Sequence, residues 1–313
     1  MEEKLRPGVF STYTAGSSGW GAGGRAAGLI VPGQTAPGVP VWITDGTGIA
    51  AALPAETEQE AAAACELLLR AGAGKVWLCP VSGESGSWQA AFDLAGAEEE
   101  LDTILCACTQ ESDAAAFAAM LSDAAANRRE RVGILPAAGD SEALALAAAV
   151  NCERLMVTAG SGLYGETDSP LCLAAALAGK ILSRAAPDES LSAAVLEELS
   201  GASPARTEEQ IETLLRGGVI PFEVLGGQTE CIRAVTTRTK SGSLPDSTWR
   251  DISTVLTVDY IMRSVREMLA EKLRGVRSSQ QSLESVASQV TVLLQQLEAG
   301  GLLQEWGDPV VYT

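Results

Sequence analysis

At 313 residues the chain has room for two domains or one large one, and 46% hydrophobic with 4% aromatic residues is ordinary globular material. A net charge of −18 argues against nucleic acid as a partner, because phosphate binding needs clustered Lys and Arg. Histidine is absent, which removes Ser-His-Asp and Cys-His catalysis, imidazole bases and any His-bearing metal site.

Residues 1–25 are rich in Gly, Ser and Thr. Phe10, Thr12 and Thr14 alternate with Val9, Ser11 and Tyr13, which predicts a short strand at 8–14 on a Gly-rich tether at 16–24; a disordered terminus is the plainer alternative. The acidic opening Met1-Glu-Glu-Lys4 gives no signal peptide, and no apolar run reaches the ~20 residues needed to cross a bilayer. From residue 26 short apolar segments alternate with Ala-rich ones. Strands are predicted at 26–31, 39–44, 75–81, 103–109, 132–136 and 154–159, and helices at 58–71, 87–95, 113–128, 141–150 and 170–184. That alternation implies an α/β domain over 26–228 whose mostly parallel sheet is covered on both faces. Residues 187–218 are less regular, with a short helix at 208–215 stopped by Gly217-Gly218. Two strands, 219–225 and 230–237, flank Gly226-Gly227 and open a smaller mixed α+β domain over 229–313. Its first helix carries Ile252, Val255, Val258, Ile261, Val265 and Leu269 at helical spacing. Its second carries Leu283, Val286, Val290, Leu293 and Leu297, and Gly300-Gly301 ends it. Strands are expected at 302–306 and 310–313, around the turn Gly307-Asp-Pro309.

Little in the sequence offers catalysis. Gly160-Ser-Gly162-Leu-Tyr-Gly165 fits G-x-G-x-x-G after a predicted strand, which keeps open a nucleotide-dependent oxidoreductase or transferase. Against it, the next helix starts only near Pro170, and no acidic residue ends a following strand ~20 residues on, where a ribose partner would sit. A tight turn is the better reading. Gly74-Lys75 lacks the rest of a P-loop. Cys106 and Cys108 have no second Cys pair to complete a metal site, and the seven cysteines read as buried reduced thiols. No catalytic residue, cofactor or metal is expected. A scaffold is the first reading, and a monomeric binding module with disordered ends is a third.

Several motifs point to one family. Val235-Thr-Thr237, Trp249-Arg-Asp-Ile252 and Val258-Asp-Tyr-Ile261 follow in order through the C-terminal part. Arg6-Pro-Gly-Val-Phe10 stands near the start and Pro309-Val-Val-Tyr-Thr313 at the end, with Leu173–Gly179 and Leu214–Val219 between. In this order and spacing they resemble the contractile tail sheath proteins of phages and phage-derived injection machines. Phe10 stands where that family has tyrosine, and the chain is short for the family. The resemblance implies a subtilisin-like, non-catalytic α/β domain, a smaller C-terminal domain and extended terminal arms. It implies a sheath subunit that polymerises helically around an inner tube and contracts to drive it through a target envelope. The expected partners are further copies of the chain, the inner tail tube protein, and the baseplate and tail terminator proteins, with no nucleic acid and no direct membrane insertion. Assembly would take place in the bacterial cytoplasm, within a virion tail or a phage-tail-like bacteriocin.

On that reading Val9, Phe10 and Thr12 in the first arm, and Val310, Val311 and Tyr312 in the last (308–313), add strands to neighbouring subunits. Charge suggests a tube-facing surface. Residues 1–230 hold all of the −18, whereas 231–277 hold nine basic against five acidic residues, a local +4. Arg263 and Arg266 share a helix face, and Lys272, Arg274 and Arg277 continue the patch. These five are the candidate tube contacts.

Overall fold

The computed structural model describes residues 25–33, 37–54, 58–82, 86–272, 280–307 and 309, without the side chains of 272 and 280–283. The elements run β1 (Ala26–Pro32), β2 (Val41–Ile43), α1 (Gly46–Ala52), α2 (Gln59–Ala71), β3 (Lys75–Val81), α3 (Ser87–Ala97), β4 (Leu101–Cys106), α4 (Glu111–Ala126), β5 (Val132–Ala137), α5 (Asp140–Val150) and β6 (Leu155–Ala159). Then come β7 (Ser161–Tyr164), β8 (Thr167–Ser169), α6 (Pro170–Ser183), β9 (Ala194–Val195), β10 (Gly201–Ser203), α7 (Glu208–Arg216), β11 (Phe222–Leu225) and β12 (Gln228–Cys231). The chain continues through β13 (Lys240–Ser241), β14 (Leu244–Pro245), α8 (Ile252–Lys272) and α9 (Gln280–Ala299).

Six strands form one sheet in the order β2-β3-β1-β4-β5-β6. All its pairings are parallel except that of the edge strand β2, which is antiparallel to β3. This is the mostly parallel α/β architecture the alternation predicts. The side-chain period of two divides each strand between two cores. Leu29, Val31, Val76, Leu78, Leu105, Ile134 and Met156 face the layer of α2 and α6. Ile30, Trp77, Cys79, Ile104, Leu135 and Val157 face α3, α4 and α5.

Helix α6 is the centre of the first core. Ser169 caps it by accepting from Leu171 N, and Pro170 stands at its first turn, where its missing N–H costs nothing. Leu171 through Gly179, Ile181 and Leu182 are all buried, the pattern of a helix enclosed on every side. It crosses α2 closely at Gly179, where an added Cβ would stand 2.2 Å from the Ala71 Cβ. The same core continues through Leu191, Leu196, Phe222 and Val235 to Ile252, Val255 and Leu256 of α8. The boundary read at 228 falls inside the antiparallel hairpin β11–β12.

Three local expectations need correction. Residues 232–237 are not a continuous strand: β12 ends at Cys231 and only a single bridge joins Val235 to Asp251, because the threonines bond elsewhere. Residues 302–306 are not a strand either. Gly301 (φ +80°) turns the chain, Leu302 N donates to Leu297 O (2.9 Å), and the Trp306 indole donates to Glu298 (2.9 Å), folding the segment back on α9. Helix α1, held by Asp45 accepting from Gly48 N (2.9 Å), is one the apolar pattern did not show.

Candidate interaction surfaces

The glycine motif at 160–165 is not a phosphate loop. Gly160 leads straight into β7, which pairs antiparallel with β8 and β10. The close backbone approach that a nucleotide would need at Gly162 is made by the chain itself. A Cβ there would meet Leu199 at 2.9 Å and the Leu173 backbone at 3.1 Å. The helix that should receive a pyrophosphate begins only after this hairpin, at α6.

A cleft of about 590 Å³ lies at the carboxyl ends of β1, β4 and β5, the place where doubly wound sheets hold ligands. Half of its polar lining is carboxylate, Glu58, Glu60 and Glu142, beside Gln59, Thr109 and Ser169. Glu60 accepts from Ser169 Oγ (2.6 Å) and Glu142 from Ala138 N (3.3 Å), so both carboxylates have structural roles. Among the described residues no three His, Cys, Asp or Glu are placed to hold a metal ion. The thiols are buried, and burial pushes Cys65, Cys172 and Cys231 up to about 12.

Two of the C-terminal motifs reach a seam between the segment 233–266 and the amino-terminal edge of the sheet, and the third braces that segment internally and against α7. Thr237 N donates to Leu155 O (2.8 Å); its hydroxyl donates to Cys152 O (2.9 Å) and accepts from Cys152 N (2.9 Å). Thr236 Oγ1 donates to Trp249 O (2.6 Å), and Arg233 grips Asp251 with two bonds of 2.8 Å. Arg250 reaches the Leu215 carbonyl. The motif aspartate, Asp259, receives both arms of Arg154 at 2.7 Å. Burial works against the Arg154 charge, but the bonds to Asp259 outweigh it and raise its pKa. Burial also pushes the Asp259 carboxyl above its ordinary value, with Arg154 opposing. The paired 2.7 Å geometry is that of an ion pair at neutral pH.

The same seam takes two of the five basic residues read as tube contacts. Arg266 pairs with Glu130 (2.5 Å), while Arg263 reaches Asp102 (3.5 Å) and the Glu130 carbonyl (3.4 Å). Asp259, Arg263 and Arg266 form one stripe of α8 at spacings of four and three. Their partners Arg154, Glu130 and Asp102 sit at the starts of the adjacent strands β6, β5 and β4. Asp102 and Glu130 gave no sequence signal as partners, because pairs separated by more than a hundred residues have no spacing to betray them. The side chain of Lys272, and Arg274 and Arg277 entirely, lie outside the described residues. So do the arm residues Val9, Phe10, Thr12, Val310, Val311 and Tyr312.

No protein-family model matches the chain, and no curated protein does. Solved structures do. The sheath tail protein of Desulfitobacterium hafniense superposes with a TM-score of 0.71 at 12% identity, over 93% of this chain and 89% of its own. The sheath tail protein of Listeria innocua gives 0.70 at 10%, over 90% and 86%. A chain of the anti-feeding prophage helical sheath in its contracted state gives 0.68 at 17%, over 94% and 84%. The fold is that of contractile tail sheath proteins. In this sheath fold the motif residues have a physical role: Thr237 and Asp259 bind the C-terminal segment to the sheet edge, Thr236 and Asp251 tie the segment to itself, and Arg250 ties it to α7.

Proposed function

We propose that the chain is the structural subunit of a contractile tail sheath. The observation that carries this is the likeness over 90% or more of the chain to sheath tail proteins and to the contracted anti-feeding prophage sheath. The resemblance of its motifs supports it, two of which, at Thr237 and Asp259, fasten the C-terminal segment to the sheet edge. On this reading copies of the chain assemble helically, attach to a baseplate and surround an inner tube, with a terminator closing the far end. The part covering 26–228 is a non-catalytic, subtilisin-like domain, and 229–313 is the sheath domain. The terminal arms, 8–14 and 308–313, add strands to neighbours, since backbone hydrogen bonds survive large rotations of each subunit. Assembly takes place in the cytoplasm, before a virion or bacteriocin-like particle is released. No helix among the described residues is long and apolar enough to cross a membrane. Arg263 and Arg266, already engaged with acidic groups of the same chain, offer the tube at most their exposed faces; Lys272, Arg274 and Arg277 are the better candidates.

Electron microscopy of the purified protein tests the proposal. Hollow tubes or stacked rings are the expected result. A monodisperse monomer at every concentration and salt, with saturable binding of a small ligand, would replace the sheath by a binding module. The nucleotide alternative has lost its loop to the hairpin β7–β8.

A further inference from the structure

Helix α8 changes character half-way along. Ile252, Val255 and Leu256 are buried in the core that contains α6, and Asp259 is buried against Arg154. None of residues 260–271 is buried. There the helix meets the sheet through charge, with Arg263 on Asp102 and Arg266 on Glu130. Beneath it lies a polar cavity of about 540 Å³, bordered also by Glu99, Arg128, Arg129 and Glu267. One helix is thus fastened in two ways, by close-packed apolar side chains at its start and by ion pairs over a polar gap beyond Asp259.

We propose that residues 260–271 form a charge-held latch, which can lift from the sheet as a unit while the first turns of α8 stay packed, with the Arg154–Asp259 pair as the hinge. The Arg263–Asp102 pair is partly exposed on both sides and weakens with salt, whereas Glu130 in the Arg266 pair is covered, so that pair yields to substitution more than to salt; the buried apolar contacts of the first turns resist both. Releasing this half of the helix exposes no buried apolar side chain of its own. It frees two arginines on the helix and two carboxylates on the sheet edge, each able to find another partner of opposite charge. The latch is a property of the single chain and does not depend on its assembly.

Hydrogen exchange on the full chain tests it, reading amides of 260–271 against those of 252–258 and of β4, β5 and β6. In Arg266→Gln the 260–271 amides should exchange about fivefold faster, and in wild type at about 0.5 M salt, which weakens chiefly the Arg263–Asp102 pair, about twofold faster, while the others keep their rates. Arg266→Gln combined with Glu130→Gln should be no faster than either single change, because one interaction is being removed. The charge swap Arg266→Glu with Glu130→Lys should restore slow exchange. Rates at 260–271 indifferent to salt and substitution would overturn the latch. So would rates that rise only together with the sheet, since the helix would then open only with the whole fold. If Arg266→Gln lowers global stability, the salt series on wild type still decides between these outcomes.

Discussion

Cys65, Cys172 and Cys231 lie in the core around α6, where burial lifts each thiol from 9.0 to about 12. Each holds its proton longer folded than unfolded, so its contribution to stability is complete below pH 9 and is lost as pH rises toward 12. Between pH 8 and pH 10, urea unfolding should show a loss of about 1 kcal/mol for each of these thiols. A Cys231→Ala variant should lose correspondingly less over the same interval; equal losses in both proteins would show that this thiol does not titrate on unfolding. Gly179 sets a different limit. Because an added Cβ would fall 2.2 Å from that of Ala71, Gly179→Val must push α2 and α6 apart. The expected cost is about 2 kcal/mol or more, measured by the denaturant midpoint. An unchanged midpoint would mean that the two helices separate freely.

Among the elements, the seam between α8 and the sheet edge carries three ion pairs, Arg154–Asp259, Arg263–Asp102 and Arg266–Glu130. Asp259→Ala leaves Arg154, with 14% of its side chain exposed, without its bidentate partner. A loss of about 3 kcal/mol is expected, close to that for a broken buried pair. Asp259→Ala combined with Arg154→Leu should recover part of it, and no recovery would mean that the cost lies in packing alone. The seam also shows where the sequence could be read and where it could not. Strands β1, β3, β5 and β6 were legible because each is a short apolar run, and α6 because no face of it is polar. The four-residue runs that became β7, β11 and β12 carry no period long enough to fix their ends. At 232–237 the β-branched residues suggested a strand, but Thr236 and Thr237 use their hydroxyls and amides to staple the chain to Trp249, Arg250, Cys152 and Leu155. Among the candidate contacts, the spacing of three puts Arg263 and Arg266 on one face of α8. Their acidic partners were not legible, since only the folded sheet brings Asp102 and Glu130 side by side.

For the whole molecule, the proposed arms make assembly separable from folding. The core residues named above all lie between Ala26 and Leu256, and on the arm reading deleting 310–313 should leave a folded chain that no longer forms tubes. Circular dichroism with electron microscopy reads both properties. Tubes that persist after this deletion and loss of 1–14 together would remove the arm model while leaving the sheath fold untouched.

The central place of α6 has a consequence for synthesis. Ribosomes deliver this chain from residue 1 at roughly 5–20 residues per second, and domains form as their parts emerge. All six strands of the main sheet lie before residue 160, whereas the helix that covers one of its faces ends at Ser183. While that stretch is being made, Leu29, Val31, Leu78, Ile134 and Met156 have α2 for cover but not α6. A chain halted near residue 160 should therefore bind a hydrophobic dye or a chaperone, and one halted after residue 230 should bind far less. Equal binding by both would show that α6 is not what closes this face. The interval is short, but on the proposed sheath reading a polymer of many identical copies repeats it with every copy, in a crowded cell where neighbouring half-made chains present the same uncovered leucines and valines.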